Sequence, residues 1–400
     1  MPNSSFEPVP GHRKPGAYRS AVAVFSLGLG AFASVTAEFL PVGVLPEIAA
    51  SFNISAGSAG LMMTLPGMLA AISAPAVMLA AGRHDRRSIL LVLSGILVAA
   101  CTVSATASSF PMMLIGRALV GVSLGAFWAM ALAVASRLVS PENSQRAVAA
   151  VFAGVTVAMI LGVPLGNLVA SHYSWRGSFA AAGVIGLLAM MLQAAVLPRV
   201  PGTSALKFSD LLQAAGSRDA RRSLAMIGLI FAAHFGAYTF LAPLLHQATI
   251  QQETITYVLF GYGIAGFLST FVASHFVAKS VKYSLMTAKG LLLIPLALMP
   301  MLVMAPTLEV ALVIAWGMSW GALPLCLSAW NQRASDGHVE AKSALFTFTG
   351  QVAIAFGSGA GGYIVDSAGV GATFWTAAAA VALSVVVLTK ANAPTSTHPS

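Results

Sequence analysis

Residues 20–45 read SAVAVFSLGLGAFASVTAEFLPVGVL, an apolar run broken by one charged side chain, Glu38. Such a run exceeds the roughly 20 residues a helix needs to cross a bilayer. It is also longer than the core of a signal peptide, about 7–15 residues, so it reads as a retained first span. Of the chain's 12 Asp and Glu, Glu38 is read as the one set inside a span. Carboxylates are expensive in a membrane, face a cavity or a partner, and often relay protons. Pro41 lacks a backbone donor and clashes with the carbonyl of Ala37, which predicts a bend beside the acid. Counting from Ser20 puts Glu38 roughly 27 Å along a core of about 30 Å. Two readings therefore stand, a coupling acid and an acid resting at the outer water interface.

The whole chain shares this character. Hydrophobic residues make up 58% and charged residues 8%, and mean hydropathy is +0.84; a soluble domain carries about 25% charge. The composition predicts a polytopic, all-α membrane protein, and the long apolar runs exclude a membrane β-barrel, whose strands alternate over about 10 residues. Cys101 and Cys326 lie in separate apolar spans and make neither a disulfide framework nor a metal site. Apolar segments fall near 20–45, 55–81, 88–108, 111–137, 146–170 and 176–197, then 223–246, 254–278, 283–304, 308–332, 341–365 and 371–390. This divides the chain into a tail (1–19), a six-helix bundle (20–197), a polar loop (198–222), a second bundle (223–390) and a tail (391–400).

Lys and Arg give the orientation. With the N-terminus inside, 18 of the 21 fall on inside loops and tails, Arg176 alone lies outside, and Arg117 and Lys289 are intramembrane. That asymmetry places both termini in the cytoplasm. It also accounts for the net charge of +9 without nucleic acid as a partner.

Several positions inside the segments carry chemistry. Arg117 is followed at four-residue steps by Gly121, Gly125, Ala129 and Ala133, one helical face of small residues headed by a permanent cation. Its partner is a carboxylate, carbonyls, water or substrate, with Glu38 the carboxylate at hand; snorkelling to the interface is the alternative. Gly154, Ala158, Gly162 and Gly166 form a second stripe with Pro164 and Asn167, suited to packing or to gating. Asn167 needs a hydrogen-bond partner, from a neighbouring helix or a substrate. His234 and Tyr238 share a face ahead of Pro243. Trp320 lies too deep for an aromatic belt and offers a core residue or a stacking platform. Gln351 requires a polar partner.

Two six-helix halves around a basic middle loop resemble the major facilitator superfamily, over nearly the whole chain. Gly82-Arg83-His84-Asp85-Arg86-Arg87 is similar to a shortened form of its loop signature, and Arg117 with Gly121 keeps its arginine–glycine spacing. Gly162-Val163-Pro164-Leu165-Gly166 is similar to its antiporter signature, with Asn167 where a second glycine is common. Glu38-Phe39-Leu40-Pro41-Val42 and Leu45-Pro46 resemble the drug:proton antiporter (DHA1) branch, which contains sugar and nucleoside exporters. Within it, Gly125-Ala126-Phe127-Trp128-Ala129-Met130 and Gly361-Gly362-Tyr363-Ile364-Val365-Asp366 resemble the bacterial purine ribonucleoside exporters.

That resemblance implies alternating access in the inner membrane of a bacterium, with the proton as coupling ion, no other cofactor, and a monomer in the bilayer. Glu38 and Arg117 would couple the proton. Gly82, Asp85, Arg86 and Arg87 would latch the cytoplasmic side, and Gly162, Pro164 and Gly166 would gate. Trp128, Asn167, His234, Tyr238, Trp320 and Gln351 would surround a neutral, hydrogen-bonding small molecule such as inosine. Sugar or chloramphenicol-like drug efflux is the alternative. A channel is disfavoured by a lone buried acid among proline-broken helices. An enzyme is disfavoured by the lack of a nucleophile–base pair.

Overall fold

The computed structural model describes residues 17–81, 84–201, 208–334 and 339–391, and every regular element among them is helical. The first half comprises α1 (Ala17–Phe39), α2 (Pro41–Phe52), α3 (Ala56–Ala59), α4 (Leu61–Ala81), α5 (Arg86–Ala105), α6 (Phe110–Arg137), α7 (Ser144–His172) and α8 (Trp175–Val196). A short helix, α9 (Phe208–Ala215), lies in the connecting segment. The second half comprises α10 (Arg218–Tyr238), α11 (Leu241–Gln247), α12 (Gln252–Lys279), α13 (Val281–Leu298), α14 (Pro306–Ala334), α15 (Val339–Ala368) and α16 (Val370–Thr389).

Ten of these helices are long and apolar enough to cross a membrane, and the pair α10–α11, bent by 44°, makes an eleventh. α15 has 30 residues, ample length, but it is richer in glycine, serine and threonine. Packing against the other half, rather than lipid, explains that composition.

The halves repeat one another. α1 packs on α7 and α8, α4 on α6, and α5 on α8; in the second half α10 packs on α15 and α16, α12 on α14, and α13 on α16. The break between α1 and α2 recurs between α10 and α11. Pro41 opens α2 at a position that needs no donor, while Leu40 N still donates to Thr36 O at 2.9 Å. Serine or aspartate caps the starts of α3, α5, α8, α10 and α13, each accepting from a backbone N–H of the first turn.

The halves meet through α4 against α15 and α7 against α12. The hydrogen bonds, ring stacks and glycine contacts that join them involve residues 38–67 and 160–167 of the first half and 235–263 and 351–366 of the second. All lie toward the end that carries the α2–α3 and α11–α12 turns. Among the described residues, the end where α1 begins holds none of these contacts. Among the described residues, these contacts between the halves thus gather at one end of the bundle.

Candidate functional site

At the α1 break the sequence creates a problem that Arg117 solves. Ala37 O would ordinarily accept from the residue four positions on, which is Pro41 and has no N–H. On α4, Met62 O faces the same loss because its partner position is Pro66. The Arg117 guanidinium, fully buried on α6, donates to Ala37 O, to Glu38 O at 2.6 Å and to Met62 O at 2.8 Å. One cation therefore closes two proline-broken helices and sits favourably at the C-terminal end of α1.

Of the partners the sequence left open for Arg117, the structure supplies carbonyls and not the Glu38 carboxylate as hydrogen-bond acceptors. The guanidinium binds the Glu38 carbonyl, and the two side chains make no ion pair. Glu38 is 3% exposed, and its Oε1 has no hydrogen-bond partner. Gln351 meets it from α15 in the other half, half-buried and with its own Oε1 unpartnered. Glu38 is also not the sole acid in a span. Glu309, in the first turn of α14, is buried with both oxygens unpartnered. The intramembrane Lys289 donates to Ser384 O at 3.0 Å and contacts Met226 Sδ at 3.2 Å.

Three of the residues expected to face a substrate are packed against one another instead. Trp320 stacks on His234 with centroids 3.4 Å apart and planes 4° apart, His234 stacks on Tyr238 at 5.1 Å, and Tyr238 on Tyr262 at 5.1 Å. Trp316 Nε1 donates to His234 Nδ1 at 3.0 Å. Indole nitrogen only donates, so Nδ1 accepts and the imidazole proton belongs on Nε2. No ring in this group is more than 6% exposed, so His234, Tyr238 and Trp320 form a buried column of the second half rather than an open platform.

Asn167 is likewise committed. Fully buried, it donates to Thr256 Oγ1 at 2.7 Å and accepts from Gln252 Nε2, which also donates to Gly43 O at 3.4 Å. It is a clamp between the halves, and the neighbouring helix supplies the partner the sequence demanded. Trp128 is half-buried, tilted on Phe152 with centroids 5.4 Å apart, and packs against the buried cluster of Val35, Ala70, Leu124 and Ala158.

Rings that the sequence reading passed over cover the junction. Phe39 stacks on Phe235 across the halves at 5.2 Å and 13°, Phe235 contacts Phe231, and Phe231 contacts Phe346 and Trp320. Phe231 and Phe235 are four apart and flank His234, a spacing visible in the sequence. Toward the end where α1 begins, α1 and α7 border an apolar groove of about 510 Å³ lined by Phe25, Leu29, Phe32 and Val157, with Arg146 among its lining residues.

The expected gating residues act within the first half. Side chains at Gly162 and Gly166 would meet Thr36 and Leu40, so these positions seat α7 on α1 up to its break. Pro164 lies inside α7 and removes the donor for Ile160 O. Ile160 is the point at which Gly263 of α12 approaches, with room for no Cβ. Asp85 caps α5 through Arg87 N at 3.2 Å and accepts from Val200 N at 2.8 Å; Arg86 N donates to Val200 O and Arg87 Nη2 to Ala194 O. These bonds pin the chain leaving α8 to the start of α5. Gly82 lies outside the described residues.

The sequence model described as Major Facilitator Superfamily matches residues 27–357. The chain belongs to the Major Facilitator Superfamily. It is a multi-pass helical membrane transporter. It is 31% identical over 350 residues to the purine ribonucleoside efflux pump NepI of Salmonella paratyphi B, covering 87% of this chain and 88% of the relative. Among solved structures it resembles a mutant of the nucleoside transporter NupG, with TM-score 0.75 and 11% identity over 92% of this chain and 99% of the other. It also resembles a bacterial homologue of the lysosomal transporter Spinster, with TM-score 0.69 and 16% identity over 94% and 95% of the two chains. At these identities the structures speak for the superfamily fold alone.

Proposed function

We propose that this transporter is a proton-coupled antiporter that exports purine ribonucleosides such as inosine from the bacterial cytoplasm by alternating access. Twelve spans with both termini cytoplasmic put the end that gathers the contacts between the halves outside, which suits a conformation that loads from the cytoplasm. The observation that carries the reading is the position of Glu38: a buried acid at the break of α1, where the two halves meet. Such a group can take up a proton in one access state and release it in the other. The rings Phe39 and Phe235, stacked across the halves beside it, suit a planar base, and the kinship with a purine ribonucleoside efflux pump supports that class. The protein works as a monomer, with the proton as its coupling ion. The apolar groove between α1 and α7 favours lipophilic drugs as a second substrate class.

The test is uptake of labelled inosine into inverted inner-membrane vesicles that hold the protein. Accumulation under an imposed pH gradient, abolished by a protonophore, is the expected result. Vesicles that take up chloramphenicol-like drugs but not inosine would replace the nucleoside with the second class.

A further inference from the structure

Two buried oxygens at the junction of the halves have no donor. Glu38 Oε1 on α1 and Gln351 Oε1 on α15 each lack a hydrogen-bond partner, although Gln351 is the side chain that meets Glu38 from the opposite half. The approach of α15 is built in by Gly67 of α4, where a Cβ would stand 2.9 Å from Gln351 O and 3.0 Å from Ala355 N. Buried acceptors are rarely left unpaired, and exceptions point to a partner from outside the chain. The chemistry of the pair leaves that need unmet. A carboxylate only accepts; a carboxamide turned to give its N–H to the carboxylate still leaves its own oxygen without a donor. The other charged group facing Glu38, Arg117 of α6, directs its guanidinium at the carbonyls of Ala37, Glu38 and Met62.

We propose that Gln351 is a specificity-determining residue, and that its Oε1 together with the Glu38 carboxyl accepts the two O–H groups of a vicinal diol on the transported solute. Two acceptors, one from each half, match two adjacent donors, and a bound diol ties the halves together at their junction. A protonated Glu38 gives its own O–H to Gln351 Oε1, which satisfies the amide oxygen internally. Proton and diol then exclude each other at this point, as exchange requires. The inference rests on the antiport reading above, and it names the feature of the solute that the site reads.

The experiment compares wild type with Gln351→Met, a variant of similar volume that removes both amide groups, in proteoliposomes. Half-saturation of exchange is measured for inosine and for 2′,3′-dideoxyinosine. Wild type is expected to favour inosine at least 10-fold. Gln351→Met is expected to bring the ratio near one while its melting temperature stays within a few degrees of wild type. Equal affinity for both solutes in wild type overturns the inference. So does a variant that weakens both solutes alike, the result for a purely structural Gln351.

A second readout, protection of Glu38 from dicyclohexylcarbodiimide labelling, separates this inference from the nucleoside reading. If arabinose protects Glu38 and its dideoxy analogue does not, while inosine fails to protect, the nucleoside falls and the diol stands. Protection by no diol-bearing solute overturns the diol.

Discussion

Replacing Arg117 with alanine is expected to cost several kcal/mol of stability and to leave little folded protein in the membrane. The three carbonyls it serves are buried, and an orphaned buried acceptor costs about 1–3 kcal/mol against a total stability of roughly 5–15 kcal/mol. Two of the three are orphaned by prolines, so part of the loss is recoverable. Pro66→Ala restores a backbone N–H four residues after Met62 and should return about 1 kcal/mol in the Arg117→Ala background. Thermal denaturation in detergent reads both effects. Arg117→Lys is expected to behave nearer to alanine, because an ammonium cannot hold the fork geometry that spans α1 and α4. An Arg117→Ala protein that melts with wild type would refute the role of this side chain as the donor for the broken helices.

Gly57→Leu is expected to abolish transport by preventing closure of the end where the halves meet. A Cβ at position 57 would collide with the Gly362 carbonyl and the Asp366 carboxylate. The side chain would also displace Asp366, which accepts from Ser55 Oγ at 2.6 Å and from Gly57 N at 3.0 Å. Overpacking of this kind costs about 1–3 kcal/mol. Unlike a core overpacking, it penalises only the conformation in which α3 and α15 touch. A penalty of about 3 kcal/mol shifts the balance of two access states roughly 100-fold. A cysteine introduced at Thr64, which faces Gly359 across the seam, should then become reactive to an impermeant maleimide from outside the cell. Transport at the wild-type rate would show that the Gly57–Gly362 contact is not part of the cycle.

Much of the fold is legible because a bilayer fixes the length of an apolar run. The first apolar segment ends at Leu45, whereas α2 continues to Phe52; the extra turns carry Pro46 and Glu47, which interrupt the apolar pattern without interrupting the helix. α9 escapes a reading of the sequence because its eight residues are too few for a periodic signal. The break at Pro41 and the small-residue face headed by Arg117 can be read locally. The destination of the guanidinium cannot. The loss at Ala37 is visible from Pro41 alone, but the loss at Met62 matters only because α4 packs on α6, a tertiary fact. The spacing of His234 and Tyr238 places them on one face, yet their stacking on Trp320 and Tyr262 depends on α14 and α12, distant in sequence. Asn167 advertises a need for a partner, and Thr256 and Gln252 answer it from the other half. Glu309 sits at the edge of its apolar segment, where hydropathy cannot tell a buried acid from an interfacial one.

The most direct test of the account is transport by Glu38→Gln, which keeps the size of the side chain and removes its titration. In inverted vesicles the account predicts that the variant loses inosine accumulation driven by a pH gradient. Gradient-driven accumulation at the wild-type level in Glu38→Gln would contradict it and would move the coupling to another group.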